Sequence, residues 1–302
     1  MNDIWSCTFS YLHHGVHLDS TLIYSEVLSR IALGSEAFLL LLIAFLFKAM
    51  ITHRGYTEQV HKLTQEDNLA SAVDVSTYLF AVLVTLLDSL ALEGESLISQ
   101  ASDVAYIGVA IIIMIELSQQ ITDRLLFKGI SIQEQIHKHA NLSVALARGA
   151  LVIAISMMVR GVLANPQPWL TLAPWLFIGL ICIALLGAFF QWLTPYDDLE
   201  EINQNNLAAA LPLAGAWLAS GITVEAAITG ESTNLLSELV AVGLYLVFAG
   251  AVMLAVRFCL RNLLFRGVDL NKEITQDRNS GVGLIEAILY LCVAEVICFF
   301  LS

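Results

Sequence analysis

Charge is scarce in this sequence: of 302 residues, 14 are Lys or Arg and 27 are Asp or Glu, so 14% are charged where a soluble domain carries about a quarter. Basic residues are missing altogether from the first 25 positions (MNDIWSCTFSYLHHGVHLDSTLIYS). That argues against a cleaved signal or transit peptide, both of which need positive charge near the start. The cysteines Cys7, Cys182, Cys259, Cys292 and Cys298 form no C-x-x-C pair and no metal-type cluster. Four of them lie in apolar runs, where a free thiol behaves as a small hydrophobe, so no structural disulfide is expected. No phosphate-binding Gly loop, H-E-x-x-H or G-x-S-x-G occurs, which leaves nothing to support an enzyme or a bound cofactor. Alternating ten-residue strand patterns are absent as well, which excludes a transmembrane barrel. The net charge of −13 argues against nucleic acid as a partner.

What remains is apolar: 58% of the residues are hydrophobic, and they are gathered in long stretches separated by short polar ones. Spans are read at 32–52, 68–92, 104–127, 141–163, 171–193, 206–229, 235–262 and 279–301. Each has about 20 or more residues, enough to cross about 30 Å of hydrocarbon as a helix. The expected fold is therefore all-α, a polytopic membrane protein of about eight transmembrane helices whose first partner is the lipid bilayer. The loops after spans 1, 3 and 7 carry Lys48, Arg54 and Lys62; Arg124, Lys128 and Lys138; and Arg257, Arg261, Arg266, Lys272 and Arg278. Opposite loops carry Glu93, Glu95, Asp103, Glu231 and Glu238 instead. By the excess of Lys and Arg on cytoplasmic loops, both termini are expected outside the cytoplasm.

The chain repeats itself. Leu125 to Asn141 (LLFKGISIQEQIHKHAN) and Leu263 to Asn279 (LLFRGVDLNKEITQDRN) lie 138 residues apart and share six of 17 positions. Asn68-Leu-Ala-Ser-Ala and Asn206-Leu-Ala-Ala-Ala recur at the same spacing, and Glu93-Gly-Glu-Ser and Thr229-Gly-Glu-Ser follow them. This predicts an extracytoplasmic segment 1–31 and two parallel four-helix repeats, 32–165 and 166–302, related by a pseudo-twofold axis along the membrane normal. A weaker echo within each repeat sets Asn68, Asn141, Asn206 and Asn279 at span starts, where an Asn caps the first amides. Between spans 3 and 4, and again between 7 and 8, a short amphipathic helix is expected. Gly129 or Gly267 closes the preceding span, Ser131 or Asp269 is the N-cap, and Glu134 completes a capping box in the first copy. The stripes Ile132/Ile136 and Leu270/Ile274 are expected to anchor these helices in lipid. Small residues along span 6 (Ala210, Ala214, Gly215, Ser220, Gly221) permit close helix contact, within the bundle or between two copies of the chain.

Together the segment NLAAALPLAGAWLASG from Asn206, followed by Gly230-Glu231, the stretch Asp277-Arg278-Asn279-SGVGLIEA and the LLF-(K/R)-G junctions resemble the YjfL-like family of bacterial inner-membrane proteins, known as domain of unknown function 350. The resemblance covers most of residues 66–301 and is closer in the second copy. It implies the paired four-helix organisation, the bacterial inner membrane and a role in envelope homeostasis. It carries no catalytic residues. In the first copy Asp74 stands where Pro212 does and Thr77 replaces Gly215.

A charge inside hydrocarbon costs from about 2.5 to more than 10 kcal/mol and marks a pathway, a pair or a wet cavity. Glu116 lies mid-span in span 3; Asp74, Arg148 and Glu286 lie about 10 Å in from their Asn caps; Asp88, Glu225 and Glu295 sit near the outer ends. Arg148 and Glu286 occupy equivalent repeat positions and are expected to pair if spans 4 and 8 meet. Arg257 and Arg261 are expected to snorkel to lipid phosphates. His13, His14 and His17, with Asp19 nearby, have the spacing of an extracytoplasmic metal site, although no metal is expected. The favoured function is a channel or transporter for protons or a monovalent cation, with Asp74, Glu116, Arg148, Glu286, Asp88 and Glu225 as pathway or gate. The rival is a non-conducting scaffold or sensor that recruits a cytoplasmic stress-response protein.

Overall fold

The computed structural model describes residues 20–52, 55–90, 96–164, 169–229 and 235–301, and among them every regular element is helical. Eight long helices carry the apolar stretches: α1 (Ser20–Ile51), α3 (Leu69–Leu90), α4 (Leu97–Leu126), α6 (Leu142–Ala164), α7 (Trp169–Leu193), α9 (Leu207–Thr229), α10 (Leu235–Cys259) and α12 (Ser280–Leu301). All eight are long and apolar enough to cross a membrane. Four short helices lie between them: α2 (Gly55–Thr64), α5 (Ile132–His137), α8 (Asp198–Asn203) and α11 (Leu270–Thr275). Two long helices start earlier than hydropathy places them, α1 at Ser20 rather than 32 and α4 at Leu97 rather than 104. The polar first turns of α4 are helical because Ser96 caps them, its side chain accepting from the Ser99 amide.

The even spans α3, α6, α9 and α12 run in one direction and stand in a row, each packed against the next. In α6 and α9, 78% of the apolar window is buried, against 22–28% in α1, α4 and α10, so the row is the core and the odd spans flank it. Small residues set the spacing within the row. A Cβ on Gly221 would stand 2.5 Å from Ala154 Cα, and one on Gly215 2.5 Å from Ala287 Cα. Both glycines face neighbouring helices of the same chain, as do Ala210, Ala214 and Ser220, all buried. The small stripe of span 6 therefore builds the bundle itself.

The repeat is finer than a duplication. Before each even span stands a non-glycine residue with positive φ (Asp67, Ala140, Asn205, Arg278), followed by the Asn. The Oδ1 of Asn68, Asn141, Asn206 and Asn279 caps the helix that follows, accepting from the amides of Ser71, Val144, Ala208 and Gly281. The amide nitrogen does a second job. Asn68 Nδ2 donates to Ile136 O at 3.0 Å, Asn141 Nδ2 to Ile202 O at 3.0 Å, and Asn206 Nδ2 to Ile274 O at 2.8 Å. Each of these three Asn residues thus latches the last turn of the short helix in the next unit, while Asn279, in the last unit, donates to Glu273 Oε2 instead. The chain reads as four short-plus-long helix units.

The loop helices differ from expectation on two counts. Asp269 caps α11 through Asn271 N and Lys272 N, but the Ser131 side chain makes no capping bond. Ile132, Ile136 and Ile274 are buried against the bundle, so these stripes face protein rather than lipid. The latches explain this, because they draw the helix ends inward. Gly129 and Gly267 have φ of +84° and +87° and turn the chain between long and short helices, a conformation that costs glycine nothing.

Candidate functional site

Most of the polar side chains buried in the first copy meet near the basic end of the bundle, on α1, α3, α4 and α6. Arg148 lies six residues past the start of α6, about 9 Å deep. Its Nε and Nη2 donate to the Asp123 carboxylate at 3.1 and 2.7 Å, and its Nη1 donates to Asp74 Oδ1. Arg148 and Asp74 are buried, while Asp123 keeps 17% of its side chain exposed toward the basic end. One level deeper, Lys48 Nζ donates to Gln119 Oε1 at 2.6 Å, stands 3.7 Å from Glu116 Oε2 and lies 4.6 Å above the Tyr78 ring. A cation over an aromatic face is attracted by the ring quadrupole, so Lys48 is held from three sides. Gln120 donates to Glu116 Oε1 at 3.3 Å. Two cations thus face three carboxylates. Among the described residues, two of the buried carboxylate oxygens, Asp74 Oδ2 and Glu116 Oε2, have no hydrogen-bond donor.

The second copy holds a different set. The repeat spacing sets Gln119, Asp123 and Arg148 against Arg257, Arg261 and Glu286, so the cation has moved from the even span to the odd one. Arg257 Nη1 donates to Glu286 Oε1, which also accepts from Tyr290 OH at 3.1 Å. A third cluster lies at the opposite end, where Arg160 binds Glu225 at 2.5 Å and reaches Asp88 at 3.6 Å.

The expected pairing of Arg148 with Glu286 is overturned: α9 stands between α6 and α12 in the row, and Arg148 pairs with Asp74 on α3 and Asp123 on α4 while Glu286 pairs with Arg257 on α10. Arg257 does not snorkel, because Glu286 holds it inward. Asp88 and Glu295 are exposed, whereas Glu225 is largely covered and bound by Arg160. Asp74 and Glu116 belong to one cluster, Glu286 to another, and Asp88 with Glu225 to the third. The residues Lys48, Tyr78, Asp123 and Arg160 are additions. Arg160 carries a signal that sequence offered, a charge inside a span; Lys48 counts there only as a loop charge, although it is 1% exposed. His13, His14, His17 and Asp19 lie outside the described residues, apart from the start of α1 at Ser20.

Asp198, just past the end of α7, is buried and accepts from Thr194 Oγ1 at 2.5 Å, while its Oδ1 has no donor among the described residues. Burial pushes this carboxyl up from 3.8 to about 7, against the opposing pull of Thr194 and Arg257. The folded chain therefore holds a proton that the unfolded chain releases, and stability falls as pH rises from about 4 to about 7, by up to about 4 kcal/mol. Asp198→Asn keeps the acceptor for Thr194 and removes the ionisation. The variant should melt above wild type at about pH 8 and converge with it toward about pH 4; thermal melts in detergent check this, and equal melting points across the range would refute it.

Comparison with known proteins places the chain. The family pattern described as "Domain of Unknown Function (DUF350)" matches twice in tandem, over residues 22–163 and 165–301. The "UPF0719 transmembrane protein YshE" of Bacillus subtilis (strain 168) is 26% identical over 126 residues, 42% of this chain and 89% of that protein. A "UPF0719 transmembrane protein" of Aquifex aeolicus (strain VF5) is 21% identical over 172 residues, 55% of this chain and 64%, just under two thirds, of that protein. No solved structure matches. Eight membrane-length helices, a repeating latch and two tandem matches converge: this chain is a multi-pass membrane protein of the Domain of Unknown Function (DUF350) family, carrying the domain twice.

Proposed function

We propose that the first-copy cluster is a binding site for a proton or a small monovalent cation, and that the chain moves this ion across the membrane as a channel or transporter. One observation carries the reading. Lys48 and Arg148 face Asp74, Glu116 and Asp123, and among the described residues neither Asp74 Oδ2 nor Glu116 Oε2 accepts a hydrogen bond, although Lys48 stands in ion-pair range of the latter. With His137, the other titratable group acting on Asp74, in its neutral form, the ionised cluster holds one negative charge too many at a depth where an uncompensated charge costs several kcal/mol. A proton on one carboxyl, or a cation between them, removes that cost and satisfies the bare oxygens. The basic end then faces the cytoplasm, by its Lys and Arg, in a bacterial inner membrane. The work is ion movement rather than covalent chemistry.

A second reading rests on what lies beyond Glu116. The buried residues of α4 on that side are Val104, Gly108, Ile111, Ile112 and Ile115, and Leu40 packs onto Gly108. In a transporter this apolar plug is the closed gate. In a non-conducting scaffold for an envelope-stress protein it is permanent. Reconstituted vesicles separate the two. Wild-type protein should dissipate a proton or monovalent-cation gradient, and Glu116→Gln should slow it about tenfold, the equivalent of about 1.4 kcal/mol. Wild-type leak no greater than that of empty vesicles, with folded protein confirmed, favours the scaffold; unchanged flux in Glu116→Gln takes the cluster off the path.

A further inference from the structure

The second copy has a cavity that shares one residue, Arg257, with its ion pair. It measures about 580 Å³ and opens at the basic end, between the end of α7 and the end of α10 with the loop that follows. Arg257 and Arg261 form one wall; Leu193, Pro195, Val268 and Leu270 form much of the rest. Arg257 is committed to Glu286 through Nη1. Arg261 is not committed. Its counterpart in the first copy, Asp123, is bound by Arg148, whereas the carboxylate equivalent to Arg148, Glu286, is already taken by Arg257. Among the described residues Arg261 has no carboxylate within ion-pair distance, and its charge faces the cavity. The acid on the rim, Asp269, spends Oδ1 on the amides of Asn271 and Lys272.

Depth and lining narrow the ligand. Arg261 lies three residues inside the end of the span at Leu264, about 5 Å, where a long side chain reaches the headgroup phosphates, and Arg257 lies seven inside, about 10 Å, one turn below it. Beside them Leu263 and Leu264 are 68% and 55% exposed, an apolar surface against which acyl chains can lie. After Leu260 the helix widens into a π turn, with Phe265 N–H bonded to Leu260 O; such turns recur at binding sites. A guanidinium without a partner, above apolar walls and at phosphate depth, matches a phosphodiester with acyl chains attached.

We propose that this cavity binds the headgroup phosphate of an anionic phospholipid, with Arg261 as the charged contact and Arg257 beside it. The site stands apart from the ion cluster of the first copy and does not depend on any transport activity. Purified full-length protein, partly stripped of lipid in detergent and exposed to equal phosphatidylglycerol and phosphatidylcholine, tests it by native mass spectrometry. Wild type should retain phosphatidylglycerol about fivefold over phosphatidylcholine, the value of about one interfacial basic residue. Arg261→Gln should abolish the preference, while Arg266→Gln, which removes an exposed charge from the same end outside the cavity, should keep it. Excess inorganic phosphate should not displace the lipid. Equal retention of the two lipids by wild type, an unchanged preference in Arg261→Gln, or an equal loss in Arg266→Gln overturns the site. Displacement by phosphate makes it a free-anion site and overturns the lipid assignment.

Discussion

Arg148→Met is expected to cost about 3–5 kcal/mol of stability, enough to leave much of the protein unfolded in mild detergent. The Met side chain is unbranched and apolar and fills the space of the arginine stem, so the change tests chiefly the loss of the guanidinium. It strands Asp74, which has 2% of its side chain exposed, and removes two donor nitrogens, Nε and Nη2, from Asp123. Truncating one partner of a buried pair leaves the other charge unpaired, and most of the cost is that penalty. Asp74→Asn in the Arg148→Met background should therefore recover a substantial part of the loss, on the order of 1–2 kcal/mol. Exchanging the charges of Arg148 and Glu286 should recover nothing, because α9 separates them. Equilibrium unfolding followed by tryptophan fluorescence measures all of these. A loss below about 1 kcal/mol for Arg148→Met, or full rescue by the exchange, contradicts the geometry described.

The second large effect is expected at the seam between the copies. A Cβ on Gly221 would meet Ala154 Cα at 2.5 Å, its Cβ at 2.8 Å and its carbonyl oxygen at 3.0 Å. These are backbone or near-backbone atoms that cannot rotate away, so Gly221→Val must push α9 from α6. Overpacking of this kind costs about 1–3 kcal/mol, and the seam involves the two most deeply buried helices, so the upper end is expected. Gly243→Val is the control, since a Cβ there meets nothing within 4 Å. Melting points in detergent decide it: if the two variants melt alike, α6 and α9 do not pack as closely as their small residues allow.

Much of this fold was legible in the sequence, and for a physical reason. Spans are written in hydropathy because lipid forces each helix to satisfy its own backbone, and the repeat shows in LLF-(K/R)-G and the recurring Asn. What a repeat supplies is depth. Arg148 and Glu286 do lie at matching levels, but their order around the bundle depends on which helix stands between, and nothing in a 138-residue period states that. The Asn caps were readable for the same local reason that caps always are, from one residue and the helix after it. The other half of that side chain was not, because Asn68 Nδ2 reaches Ile136 across 68 residues. Lys48 was hidden by its place near a span end, where most lysines reach water; only Tyr78, Glu116 and Gln119 from two other helices reveal it as interior.

The latches also keep time. Asn68, Asn141 and Asn206 each wait for a carbonyl 68, 61 and 68 residues further on. At about 5–20 residues per second, a ribosome supplies each missing partner within roughly 3–14 s of the Asn itself. Until then the amide stands open at the membrane surface, and the unit behind it is only half fastened. Synthesis therefore closes the row one clasp at a time, in chain order, and each clasp needs nothing more than the next short helix to arrive.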